Sequence, residues 1–270
     1  MTKSVKKFYT EKIHKEWNRL TQDSYHKLEF DTTLHFLKKY LPKKGLILDA
    51  GAGPGRYTIE LAKQGYNIVL LDITPANLEF AKKQIKKAKI QNQVKEMAEG
   101  SIADLSRFPD ETFDAVICLG GPLSHLIDKK KRDRAVSELI RVAKKGTPIA
   151  VSVIGRLAVL VRDLQLSPEE IGLPHFKKYR DTGTYAGQYG FTACHFFLPE
   201  ELQKSFAKKN VKILNMVGLE GIGSNFPEKI NALARNKKRW KGWLETHYKT
   251  CTHPVVVGIS EHMLIVCKKL

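Results

Sequence analysis

What this chain has little of narrows it before any motif is read. Of 270 residues only four are cysteine (Cys118, Cys194, Cys251 and Cys267), and no two are close enough to form a C-x-x-C pair. That spacing suggests neither a zinc site nor a disulfide framework, and it leaves the thiols as small core residues. No apolar run approaches the ~18 residues of a membrane span. The segment Met1-Thr-Lys-Ser-Val-Lys-Lys7 has no apolar centre of the kind a secretory leader needs. The expectation is a cytoplasmic protein with no membrane partner. Internal repeats and low-complexity linkers are absent as well, so the length fits one α/β domain with an insertion better than two domains.

Acidic side chains are also scarce: 28 Asp and Glu stand against 46 Lys and Arg, a formal net charge of +18. Such an excess can mark a nucleic-acid or acidic-substrate partner. The lysines are spread over nearly every helical stretch, however, including Lys82, Lys83, Lys86 and Lys87 on one and Lys129 to Arg132 on another. A lysine-rich solvated surface is the simpler reading. Asn236-Lys-Lys-Arg-Trp-Lys-Gly-Trp243 interleaves bases with aromatics. It fits an anionic contact or a helix with snorkelling lysines equally well.

The most informative run is Gly45-Leu-Ile-Leu-Asp-Ala-Gly-Ala-Gly-Pro-Gly-Arg-Tyr-Thr58. A short apolar burst, three glycines and a helical pattern make a strand, a turn and a helix, the corner on which nucleotides bind. The glycine spacing is G-x-G-x-G rather than the G-x-G-x-x-G of a dinucleotide fold. Asp49 closes the strand, where a carboxylate would repel a pyrophosphate but suit a ligand carrying an ammonium and a sulfonium. S-adenosyl-L-methionine (SAM) is such a ligand. A second apolar strand, Ile68-Val-Leu-Leu71, ends in Asp72, placed to accept both ribose hydroxyls.

With these residues in view, the chain resembles the class I SAM-dependent methyltransferases. Leu48-Asp-Ala-Gly-Ala-Gly-Pro-Gly-Arg-Tyr57 is similar to their first motif, Leu70-Leu-Asp-Ile-Thr74 to their second and Phe113-Asp-Ala-Val-Ile-Cys118 to their fourth strand. The resemblance implies a seven-stranded, mostly parallel, doubly wound α/β sheet whose last two strands are antiparallel. It implies that Gly51, Ala52, Gly53 and Gly55 lie beside the methionine part, with Asp49 near its amino group. Asp72 would bind the ribose and Ile73 would pack on the adenine. The family usually has an Asp after the glycine that follows the third strand; here Ser101 stands there, with Asp104 a possible substitute. The Ile102 amide would reach an adenine ring nitrogen, and Leu119 and Gly120 would line the channel near the sulfonium. No metal is called for.

Around this core the reading is of one domain in four parts. Residues 1–42 form a helical lid, in which Asp31 caps a second helix over 31–41. Residues 43–155 form the cofactor-binding core, 156–195 an inserted cap, and 196–270 the rest of the sheet and its helices. The cap leaves a strand end where open α/β sheets bind ligands, and its Gly/Tyr-rich stretch 180–190 argues for a function. Leu119-Gly-Gly-Pro-Leu-Ser-His125 is the expected catalytic edge. It lacks the Asn/Asp-Pro-Pro-Tyr/Phe signature of amino-methylating nucleic-acid enzymes, which points to a small-molecule acceptor. His125 is either a general base or a structural histidine capping the next helix. Tyr9, His26, Tyr185, Tyr189 and His195 are the candidate acceptor contacts, each with packing as its plainer alternative.

Overall fold

The computed structural model describes residues 2–187 and 190–270 of the chain. Three helices come first: α1 (Thr2–Glu11), α2 (Ile13–Arg19) and α3 (Ser24–Tyr40). An α/β alternation follows: β1 (Leu46–Ala50), α4 (Arg56–Lys63), β2 (Asn67–Asp72), α5 (Pro75–Ala88), β3 (Val94–Glu99), β4 (Ala115–Cys118), α6 (Lys129–Val142) and β5 (Pro148–Ile154). The cap contributes α7 (Arg156–Leu166), α8 (Pro174–Thr182) and a two-stranded ribbon of β6 (Thr184–Tyr185) with β7 (Cys194–His195). The chain returns through α9 (Pro199–Ala207), β8 (Val211–Gly218), α10 (Pro227–Ala234), α11 (Lys237–Thr250) and α12 (Pro254–Ile259) to β9 (His262–Lys269).

Seven strands form one sheet in the order β3-β2-β1-β4-β5-β9-β8. The first five are parallel, and β9 pairs antiparallel with both β5 and β8. This is the expected seven-stranded arrangement. Period-2 alternation divides each central strand between two helical layers. Leu48 and Ala50 of β1 pack with Val136 and Leu139 of α6, whereas Ile47 packs with Leu61 of α4 and Leu37 of α3. The chain moves outward from β1 to β2 and β3, then crosses back to β4 on the other side of β1. That reversal leaves a crevice at the carboxyl ends of β1 and β4, where open α/β sheets bind ligands.

One local expectation is corrected. Asp31 is no helix cap: α3 runs unbroken through it, and Asp23 accepts the His26 amide at the true N-terminus (2.9 Å). The segment after β5 has regular structure of its own. Val159, Phe176, Tyr179, Tyr185, Cys194 and Phe196 bury one another in a small core of its own.

Candidate active site

The glycine turn after β1 is held open by backbone conformation. Gly53 sits at φ +56°, where a side chain would be strained, and a Cβ there would project into open space. Its N–H donates to Asp72 Oδ2 (2.8 Å), so the first turn is tied to the end of β2. Asp72 Oδ1 accepts from the Thr74 amide (2.8 Å) and from Asn77 Nδ2 (3.1 Å). Burial pushes the Asp72 carboxyl above the usual carboxylate range, and these donors oppose that shift. Asn77 Oδ1 is buried and has no hydrogen-bond partner among the described residues.

These groups wall a cavity of about 200 Å³ at the carboxyl ends of β1, β2 and β4. Gly51, Ala52, Gly53, Asp72, Ile73, Ser101, Ile102, Leu119, Gly120, His125 and Tyr9 all line it. The donor set fits SAM. A carboxylate with acceptor capacity to spare faces a bare glycine turn, an unpartnered amide oxygen lies beside it, and Ile73 and Ile102 supply apolar flanks.

A second cavity of about 180 Å³ adjoins the first, and Tyr9, Glu16, Arg19 and Gly120 line both. Its other walls come from the end of β5 (Ile154), from the cap and its exit (Ala158, Val159, Arg162, Phe191, Phe196) and from the entry to β9 (Glu261, His262). Side chains of α1 and α2 wall both chambers. Tyr9 Oη lies 2.7 Å from His125 Nε2, and His125 Nδ1 lies 3.1 Å from the Ala193 carbonyl. A carbonyl only accepts, so Nδ1 carries the proton and Nε2 accepts from the tyrosine. Burial lowers the His125 pKa and raises that of Tyr9 well above its usual value, so both rings are neutral. Phe8 packs edge-on against Phe191 of the cap (5.5 Å between centroids). The Arg56 guanidinium lies over the Trp17 ring (3.6 Å) and donates to the Trp17 carbonyl.

Beneath the neck lies a buried ionic chain. Arg19 donates to Glu16 through Nε (3.1 Å) and to Glu29 through both terminal nitrogens (2.5 and 3.4 Å). His262 Nδ1 is 2.6 Å from Glu220 and 3.5 Å from Glu29. Burial opposes a charge on His262, but the Glu29 and Glu220 carboxylates outweigh it and push the pKa up to about 9.

Several expected site residues lie elsewhere. Asp49 faces the layer of Ile47, is covered by α4 and accepts from Thr58 Oγ1 (2.6 Å); it lines neither cavity. Burial, partly offset by Thr58, pushes its pKa up to about 7. Gly55 caps α4 and packs against Ala81. Asp104 is exposed and accepts the Ser106 amide, so it does not replace an adenine-binding Asp, whereas Ser101 does reach the cavity. His26 pairs with Asp23 (2.8 Å) and His195 with Glu201 (2.6 Å). Tyr185 is buried between Tyr179 and Phe196 in the cap core. None of these three lines either cavity. Tyr189 falls outside the described residues. Sequence reasoning missed Glu16, Arg19, Asn77, Arg162, Glu261 and His262. The cue available was an acid–base pair, Glu261-His262, directly before an apolar strand.

Comparison with known proteins finds likenesses to methyltransferases. Residues 47–146 match the methyltransferase-domain family. A glycine/sarcosine N-methyltransferase of Parasynechococcus marenigrum is 26% identical over 196 residues, covering 66% of this chain and 68% of that protein. A glycine/sarcosine N-methyltransferase of Aphanothece halophytica is 30% identical over 108 residues, 40% of this chain and 39% of its own. Among solved structures, a SAM-dependent methyltransferase of Methanosarcina mazei superposes with a TM-score of 0.61 at 20% identity. That match covers 87% of this chain and 97% of the other.

Proposed function

This chain belongs to the class I SAM-dependent methyltransferases, and on that premise we propose that it methylates an O, N or C atom of a small-molecule acceptor held in the second cavity. The observation that carries the proposal is the shared neck. The cofactor cavity adjoins a second chamber, and Tyr9, Glu16, Arg19 and Gly120 wall both. A chamber of about 180 Å³ suits a metabolite rather than a polymer. Its charges are mixed, with Glu16 and Glu261 beside Arg19 and Arg162, and do not form the basic groove that RNA requires.

When bound, SAM supplies an electrophilic methyl on a sulfonium leaving group. The protein's work is then alignment and exclusion of water. We assign Asp72 to the ribose hydroxyls, the turn at Gly51–Gly53 to the methionine part, and Ile73, Ser101 and Ile102 to the adenine. Gly120 is fixed at the neck by its N–H donating to Ser152 Oγ (2.8 Å). His125 has its basic nitrogen occupied by Tyr9, so in this reading it acts as a positioning residue that orients the tyrosine hydroxyl. The test is a metabolite screen read out as S-adenosylhomocysteine formed. The two relatives' names put glycine and sarcosine first in that screen. Turnover with a small molecule supports the proposal. Turnover only with RNA or a protein, or cofactor binding with no turnover, contradicts it.

A further inference from the structure

The ionic chain beneath the neck holds one more carboxylate than cation, and one of its carboxylates reaches both cavities. Three carboxylates, Glu16, Glu29 and Glu220, share two cations, Arg19 and His262. Glu29 and Glu220 are sealed in the core, their side chains 3% exposed, whereas the Glu16 side chain is 24% exposed and lines both chambers. Arg19 engages Glu16 through Oε1 only, and among the described residues no donor pairs with Oε2. Arg19 is itself clamped from behind by Glu29, so the carboxylate of Glu16 is held in place but only half neutralised. A fixed, partly desolvated carboxylate facing a cavity selects for a cation or a strong N–H donor.

We propose that Glu16 is the acceptor-recognising group of this site, and that the acceptor is an amine whose nitrogen binds at the neck against Glu16 Oε2. This rests on the methyltransferase reading and narrows the acceptor from O, N or C to nitrogen. The amine binds as its ammonium and reacts as the free base. Its lone pair forms the new N–C bond, and the methyl–sulfur bond breaks with its electron pair left on sulfur. The proton shed by nitrogen passes to Glu16 and from there to solvent. Net charge is conserved, since the sulfonium's positive charge leaves as that proton.

Sinefungin serves as the probe because it carries a primary ammonium where SAM carries its methyl sulfonium, while S-adenosylhomocysteine carries no charge there. By calorimetry at pH 7, the full chain should bind sinefungin about tenfold or more tightly than S-adenosylhomocysteine, the ratio of one charge-assisted hydrogen bond. In Glu16→Gln that preference should vanish, while S-adenosylhomocysteine affinity stays within about twofold, well under the ~1.4 kcal/mol of a tenfold change. Glutamine is isosteric and the Arg19–Glu29 anchor is untouched, so retained S-adenosylhomocysteine binding also reports a folded site. Equal affinities in the parent chain, or a preference that survives in Glu16→Gln, would overturn the assignment. Loss of S-adenosylhomocysteine binding in a folded Glu16→Gln chain would make Glu16 a cofactor ligand and overturn it too. If the parent chain binds neither compound, the methyltransferase reading itself fails.

Discussion

Asp72 does two things at once, and its substitution should show both. Its carboxylate anchors the Gly53 and Thr74 amides and, in the proposed complex, the ribose hydroxyls. Asp72→Ala should weaken S-adenosylhomocysteine roughly ten- to a hundredfold by calorimetry. It should also lower stability by about 1–3 kcal/mol in urea, because the buried Thr74 amide and the half-buried Gly53 amide lose their acceptor. An unchanged dissociation constant would show that the ribose is held elsewhere. Tyr9→Phe separates alignment from binding. It keeps the ring contacts with Phe8 and His125 but removes the hydroxyl at the neck. The expectation is kcat lowered by about tenfold or more with S-adenosylhomocysteine affinity unchanged, since only the loss of the hydroxyl's hydrogen bond, ~1 kcal/mol or more, is felt. Unaltered kcat would make the Tyr9–His125 contact purely structural. The expected residues Gly51 to Gly53, Asp72, Ile73, Ser101, Ile102, Leu119 and Gly120 line the cavity from strand ends, where local pattern fixes position. Glu16, Arg19 and Asn77 were not legible because their role depends on partners brought together by tertiary packing. Asp49 misled for a simpler reason: the residue type was right for the ligand, but strand alternation turns its side chain onto α4.

Among the elements, α1 is the one we propose to act in closure. Among its described side chains Val5 alone is buried, and its Lys6–Glu99 pair is half exposed and adds little to stability. Tyr9 and Phe8 nevertheless reach His125 and Phe191. Deleting residues 1–11 should therefore lower the melting temperature by only a few degrees, in line with about 1.5 kcal/mol for a buried valine. Turnover should fall far more. Equal losses of both would mean that α1 is a core element. A deletion extending to residue 28 would not test this, because Tyr25 and Leu28 of α3 are core residues. The strands and helices of residues 46–154 were legible as alternating apolar bursts and amphipathic runs, whereas most of the cap beyond its first helix was not. Its helix α8 is short, begins at Pro174 and hides only Phe176 and Tyr179, a pattern too brief to stand out from a loop. The same small core absorbs Tyr185, which the sequence offered as a ligand contact.

At the scale of the whole molecule, the ionic chain under the neck ties stability to pH. His262 has a folded pKa of about 9 against an unfolded value near ~6.5. A raised histidine pKa means the folded state holds the extra proton between those values, so its contribution is complete below pH ~6.5 and is lost as pH rises toward 9. Chemical denaturation should show stability falling by on the order of 2–3 kcal/mol across that window, and His262→Gln should flatten the slope. A profile that rises with pH, or one that His262→Gln leaves unchanged, would contradict the assignment. The positive surplus of the chain belongs to this scale too. The sequence could count the lysines but not place them, and the walls of the second cavity hold acids as well as bases.

The central claim is that one cavity takes SAM and the next takes the acceptor, meeting at a single neck. A crystal structure of the chain with S-adenosylhomocysteine tests this most directly. The account predicts the ribose hydroxyls on Asp72, the adenine between Ile73 and Ile102, and the sulfur at the neck formed by Tyr9, Glu16, Arg19 and Gly120, facing the chamber bounded by Arg162 and His262. A sulfur pointing away from that chamber, or a nucleoside bound without contact to Asp72, would contradict it.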